Sequence, residues 1–247
     1  MNKLTLPVYN KSVMLSGAAL GVILICSALY IAFKRKRIYY LFFLLFFSAS
    51  VVAHFFFLLE MNIELIHVVE YGILCSILYF ACSNAAKAVL LSLPVMIVDE
   101  YIQYIYLYGH YNKYFEFNDI LLDVLGCGFF LSFLKIFQSK IRNYNLPPIL
   151  KRKELHAMFL FAFIVVALII TCFFAVHEQF SCKNTIFVMS RIENPYRFWQ
   201  IHSFTGAKYH ILNPFSGIAL ICLYFVSIAL LDYNSSKTAI GAPSSTS

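Results

Sequence analysis

Apolar residues run along this chain in stretches of about 20, separated by short polar or basic breaks. A membrane-spanning helix needs about that length at 1.5 Å per residue. The pattern predicts spans over 13–33, 38–59, 64–82, 88–107, 119–137, 156–176 and 216–232, the last of them short. The expected fold is all-α, a polytopic membrane helical bundle of about seven transmembrane helices. The first stretch is too long for a signal-peptide core and is followed at once by "KRKR" (Lys34 to Arg37), so it reads as a retained span. Four regions follow. Residues 1–63 carry two N-terminal helices, 64–137 a three-helix core, and 138–232 two further helices with a long 177–215 loop. The polar tail 233–247 is expected to be disordered.

Composition supports the membrane class and removes one alternative. The chain is 61% hydrophobic and 13% charged, with a mean hydropathy of +0.77. An ordinary soluble domain carries about 25% charged residues. The net charge of +7 would suit nucleic acid if the basic residues formed a patch. They stand between apolar runs instead, so no nucleic-acid partner is expected and membrane lipids are. With "KRKR" placed in the cytoplasm, that side also takes Lys87, Lys135, Lys140, Arg142, Lys151, Arg152, Lys153 and Lys237, which makes 12 of the 19 basic residues. The positive-inside rule then puts the N-terminus out and the C-terminus in, in a bacterial cytoplasmic (inner) membrane. The 177–215 loop lies outside. Within it, "ENPYRFWQIHSF" (Glu193 to Phe204) offers Asn194 as an N-cap and Pro195 as a first helical residue. A helix on the outer leaflet is expected there, with a substrate lid as the sharper alternative.

The seven cysteines (Cys26, Cys75, Cys82, Cys127, Cys172, Cys182 and Cys222) form no CxxC pair. They read as small apolar packing residues, with a Cys172–Cys182 disulfide as an alternative in an oxidising compartment. No HExxH, P-loop or GxSxG motif is present. Neither a cofactor nor a resident metal is therefore expected.

Three consecutive spans break the apolar pattern. The third holds Glu64, His67, Glu70 and Tyr71; on a helix, Glu60, Glu64, His67 and Tyr71 form one stripe, with Glu70 on its flank. The fourth, "PVMIVDEYIQ", holds Asp99, Glu100 and Gln103 within about 100° of one another. The fifth holds Asp119 and Asp123 one turn apart, on the face of Gly126. Each intramembrane carboxylate costs about 3 kcal/mol to insert, so such residues mark function by default. The orientation above puts all three sets in the outer half of the membrane, with Glu100 roughly 10 Å below the surface. His54, near the outer end of the second span, can join them. Pro94 should bend the fourth span beside the acids. Gly126 and Gly128 read as close-packing positions.

Residues 60–130 resemble the VanZ-like family of bacterial membrane proteins. His67 and Tyr71, then Asp99, Glu100 and Gln103, then Gly109, then Asp119 and Gly126 match its pattern. Two positions depart from it: His110 stands where an Arg is usual, and Asp123 where an Asn is usual. Losing that Arg removes a bidentate fork for an anionic head group. The resemblance implies a multi-pass membrane protein and, through the family's namesake, a link to low-level resistance to lipoglycopeptide antibiotics of the teicoplanin type.

Three functions remain open. The first is an envelope binding protein whose acidic pocket, open to the extracytoplasmic side, holds a lipid-linked ligand. The second is a membrane-embedded enzyme acting on a lipid or glycan-lipid head group. There Glu100 and Asp99 would be base and acid, and His67 would assist or bind a metal with Glu64 and Asp99. The third is a proton-coupled transporter. Its weakness is that the acids cluster on one side and no internal repeat accompanies them.

Overall fold

The computed structural model describes residues 6–58, 62–103, 117–138, 148–176, 180–189, 197–201, 206 and 208–233. Glu60, Gly109, His110, Asn194 and Pro195 lie outside these residues, as does the tail from 234. Seven helices dominate: α1 Leu6–Lys34, α2 Ile38–Phe57, α3 Ile66–Cys82, α4 Ala85–Ile102, α5 Phe117–Phe137, α6 Lys153–Ile170 and α7 Pro214–Leu231. A 3-10 turn, Asn62–Leu65, leads into α3. Five helices are long and apolar enough to cross a membrane: α1, α2, α5, α6 and α7. The other two are α3, with 17 residues, and α4, whose Lys87, Asp99 and Glu100 dilute its apolar run. Many large apolar side chains face outward. Tyr30, Phe33, Phe42, Phe56, Ile77, Phe80 and Phe163 are all more than 60% exposed. A water-soluble surface would not carry so much exposed aromatic area.

The central element is α5, which packs against α1, α2, α3, α4 and α7. It runs parallel to α3, because His67 meets Asp123 near their starts and Tyr79 meets Gln138 near their ends. It runs antiparallel to α2, whose Leu58 sits by Asn118 and whose Arg37 reaches Lys135. The turns at one end are short. Arg35 to Arg37 join α1 to α2, and Ser83 with Asn84 join α3 to α4. Lys36 and Ser83 take the left-handed conformation that ends helices. Asn84 caps α4 by accepting the Lys87 N–H at 2.8 Å.

The basic residues at this end also terminate helices. Arg35 donates to the Phe137 carbonyl at 2.6 Å, and Arg37 to those of Lys135 and Ile136 at 2.7 and 3.0 Å. Arg152 donates to the Ala229 carbonyl at 2.6 Å. Helix C-termini present unpaired carbonyls and a partial negative charge, which guanidinium groups satisfy. Lys135 and Asp232 form a buried ion pair at 2.6 Å.

At the other end the structure departs from the sequence reading in two places. Helix α6 stops at Ile170 rather than near 176. Phe174–Ala175 (β1) instead pairs in parallel with Phe187–Val188 (β2). Residues 197–201 are not helical either. Gln200–Ile201 (β3) pairs antiparallel with Lys208–Tyr209 (β4), so the expected outer-leaflet helix does not extend through Trp199. Tertiary contacts hold the backbone extended there. Trp199 stacks on Phe57, with ring centres 5.7 Å apart, and the His210 N–H bonds to the Phe57 carbonyl at 2.7 Å. All seven cysteines are free thiols. Cys75 and Cys127 are buried, whereas Cys26 and Cys182 are exposed. The hydrogen bond that the Cys182 thiol shares with Cys172 leads the causes that raise its pKa above the ordinary value.

Asn118 ties this end together. Its amide donates to the carbonyls of Leu58 and His210 at 3.2 and 3.1 Å, and its carbonyl accepts from the Leu212 N–H at 3.1 Å. Asn118→Ala should cost about 2 kcal/mol, because it strips partners from the buried backbone groups of Leu58 and Leu212 and from the partly buried His210 carbonyl. Denaturant titration in mild detergent measures this. An unchanged midpoint would contradict the role.

Candidate functional site

Most of the ionisable residues singled out in the sequence lie on α3, α4 and α5, and the structure sorts these into two groups. His67 sits in the first turn of α3. Its Nδ1 lies 3.1 Å from Asp123 Oδ1, one turn along α5 from Asp119. Helices α3 and α5 come close here because Gly126 has no side chain. A Cβ on it would stand 2.8 Å from the Val68 Cα and nearer still to the Val68 carbonyl oxygen.

Asp99 and Glu100 are neighbours in sequence, but about 100° of helical rotation divides them. Glu100 turns inward and is 3% exposed. It accepts from Gln103 Nε2 at 3.3 Å. Donor atoms of His67, Glu100 and Asp119 all lie within 4.8 Å of one another, and all three residues are buried. Asp123 is 1% exposed, and its Oδ2 is buried with no hydrogen-bond partner among the described residues.

Asp99 turns the other way. It accepts the Tyr71 hydroxyl at 2.9 Å, and the Tyr71 ring lies parallel to that of His67 with centres 6.1 Å apart. Asp99, Tyr71 and the exposed Glu70 line a cleft between α3 and α4, together with Leu74, Val95, Val98 and Ile102. Tyr71 therefore links a deep cluster (His67, Glu100, Asp119 and Asp123) to a shallow cleft (Glu70 and Asp99).

Two expectations change. The set of His67 with Glu64 and Asp99 is not the one that converges. Glu64 lies in the turn before α3, and Glu100 and Asp119 take those places. His54 does not join the cluster: its Nδ1 bonds to the Ser50 carbonyl at 2.7 Å and its ring packs edge-on to Tyr224 of α7. Pro94 lies within α4, which continues through it to Ile102.

The chain matches no family model, no curated protein and no solved structure.

Beside the cluster lies a feature that the sequence did not reveal. A cavity of about 310 Å³ opens between α4, α5, α6 and α7 and the β1–β2 pair, with a wall that is apolar throughout. Helix α4 contributes Leu93, Ile97, Val98 and Tyr101, and α5 contributes Phe117 and Ile120. The residues that face the cavity thus alternate in sequence with those that face the acids: Val98 and Tyr101 flank Asp99 and Glu100, and Ile120 follows Asp119. No period-based reading finds such a cavity, because every helix lining it is apolar on several faces.

Proposed function

We propose that this protein is a VanZ-like multi-pass membrane protein that binds a lipid-linked ligand of the bacterial envelope. Its N-terminus lies outside, its C-terminus inside, and all seven helices cross the inner membrane. The ligand's hydrocarbon chain occupies the apolar cavity, and its head group meets the acidic residues of α3–α5. One observation carries this reading: an all-apolar cavity and a buried acidic cluster share the walls of α4 and α5. Small-molecule sites combine apolar walls with a few convergent polar groups in this way. A role in glycopeptide resistance belongs to the same reading, through the resemblance to the VanZ-like family alone. A second reading, an enzyme acting on such a head group, draws support from the His67–Asp123 pair beside Glu100, an arrangement that orients a ring for proton transfer.

Native mass spectrometry on protein released gently from its own membrane tests the binding reading. The wild type should carry a bound lipid mass. Ala162→Trp, which puts an indole into the cavity, should lose it. Glu100→Gln should weaken it while the chain stays folded. A wild type with no bound lipid, or a lipid mass retained in Ala162→Trp, would overturn the proposal.

A further inference from the structure

We infer that His67, Glu100 and Asp119 bind one divalent transition-metal ion of the Zn²⁺ or Mn²⁺ class, with Asp123 holding the His67 ring in position. This goes beyond lipid binding and does not depend on it.

Spacing is the first argument. Donors bound to one such ion at about 2.0–2.2 Å sit no more than about 4.4 Å apart. Those of His67, Glu100 and Asp119 lie within 4.8 Å of one another, on three different helices. Tetrahedral ligation sets neighbouring donors about 3.3–3.6 Å apart, so an inward movement of each by less than about an ångström brings the three to ligating distance. Donor chemistry is the second. One imidazole with two carboxylates suits zinc and manganese, and three protein ligands leave a coordination position open for water or a head-group oxygen.

The third argument is the surrounding shell. Metal-bound histidines commonly give their other ring nitrogen to a carboxylate, which fixes the tautomer and the ring plane. Asp123 Oδ1 lies 3.1 Å from His67 Nδ1, which leaves Nε2 as the nitrogen for the ion. The fourth comes from Asp123 itself. Its Oδ2 shares a carbon with the oxygen that meets His67, yet it is fully buried and has no hydrogen-bond partner among the described residues. A buried carboxylate oxygen without a donor is costly in a low-dielectric interior, and a nearby cation offsets that cost.

Purified full-length protein in mild detergent, stripped with EDTA and dialysed against micromolar Zn²⁺ or Mn²⁺, tests the site by elemental analysis. The wild type should retain one ion per chain. X-ray absorption should show nitrogen and oxygen ligation at about 2.0–2.2 Å with an imidazole contribution. Glu100→Gln and Asp119→Asn should each weaken binding at least tenfold. Asp123→Asn should weaken it about 10–100-fold, the range for partners of ligating histidines. Asp99→Asn, which removes a nearby carboxylate outside the trio, should bind as the wild type does. Helicity and elution volume show that each variant is folded. Absence of stoichiometric metal in the wild type would overturn the inference. So would an equal loss in Asp99→Asn, or full binding in the Glu100→Gln/Asp119→Asn double variant. Ala162→Trp should leave metal binding unchanged, so failure of the lipid reading and failure of this one are told apart.

Discussion

Replacing Asp232 by Ala is expected to destabilise the protein by about 3–5 kcal/mol, the cost of leaving one member of a buried ion pair uncompensated. Lys135 and Asp232 are each 1% exposed, and their charged atoms lie 2.6 Å apart. Without Asp232, the Lys135 ammonium keeps Tyr79 among the described residues: the ring face, 4.9 Å away, and a side-chain hydrogen bond. A cation–π contact is worth about 2 kcal/mol even when desolvated, too little to offset a buried charge. Asp232 also accepts the Ala85 N–H at 2.6 Å, at the start of α4. That second bond predicts an asymmetry. Lys135→Met should cost less than Asp232→Ala, because the remaining carboxylate still has the Ala85 N–H. The double variant Lys135→Met/Asp232→Leu should be more stable than the sum of the two single losses predicts, since both charges leave together. Unfolding in mixed micelles reads all three. A loss below about 1 kcal/mol for Asp232→Ala would place the pair with weak surface bridges and remove it as the lock between α4, α5 and α7.

The second large effect concerns Gly126. Ordinary overpacking of a core costs about 1–3 kcal/mol, because side chains move aside. At Gly126 the obstacle is the backbone of Val68, which cannot rotate away. Gly126→Ala should therefore reach the top of that range, and Gly126→Leu should exceed about 3 kcal/mol or prevent folding. Gly128 and Gly72 differ in kind. Their neighbours are the rings of Phe47 and Phe130, and truncating those rings relieves the clash. Phe47→Ala should thus partly rescue Gly128→Ala, whereas no side-chain truncation rescues Gly126→Ala. The functional consequence follows from position. Val68 adjoins His67, and Gly126 lies one turn from Asp123, so spreading α3 from α5 there opens the 3.1 Å His67–Asp123 contact. Gly126→Ala should weaken metal binding more than its loss of stability explains. Equal metal affinity in a folded Gly126→Ala protein would show that close helix approach does not set the site.

The amino-acid sequence by itself determined the helices and their environment. Transfer of apolar residues out of water is nearly additive along the chain, so runs of about 20 residues declare themselves without tertiary information. It also determined which segments break the apolar pattern with ionisable residues. The ionisable residues of α3, α4 and α5 stand out against the apolar runs around them, where a charge is costly to bury. Helix ends were less legible. The stop of α6 at Ile170 and the strand at Gln200–Ile201 depend on pairing with Phe187–Val188 and Lys208–Tyr209, which no local propensity encodes.

Only the tertiary structure decided which of those residues meet. Helical periodicity put Asp99, Glu100 and Gln103 on one broad face, but the rotation of α4 sends Glu100 to His67 and Asp119 and gives Asp99 to Tyr71. Lys135, one more positive charge on the inner side in sequence terms, gains its meaning from Asp232, 97 residues away. Asn118 carries no signal in the sequence, and it is the strap that joins α2, α5 and the segment before α7. Each of these contacts depends on helix rotation and register. Those are set by close approaches such as Gly126 against Val68, where a single missing side chain brings two helices within reach of one another.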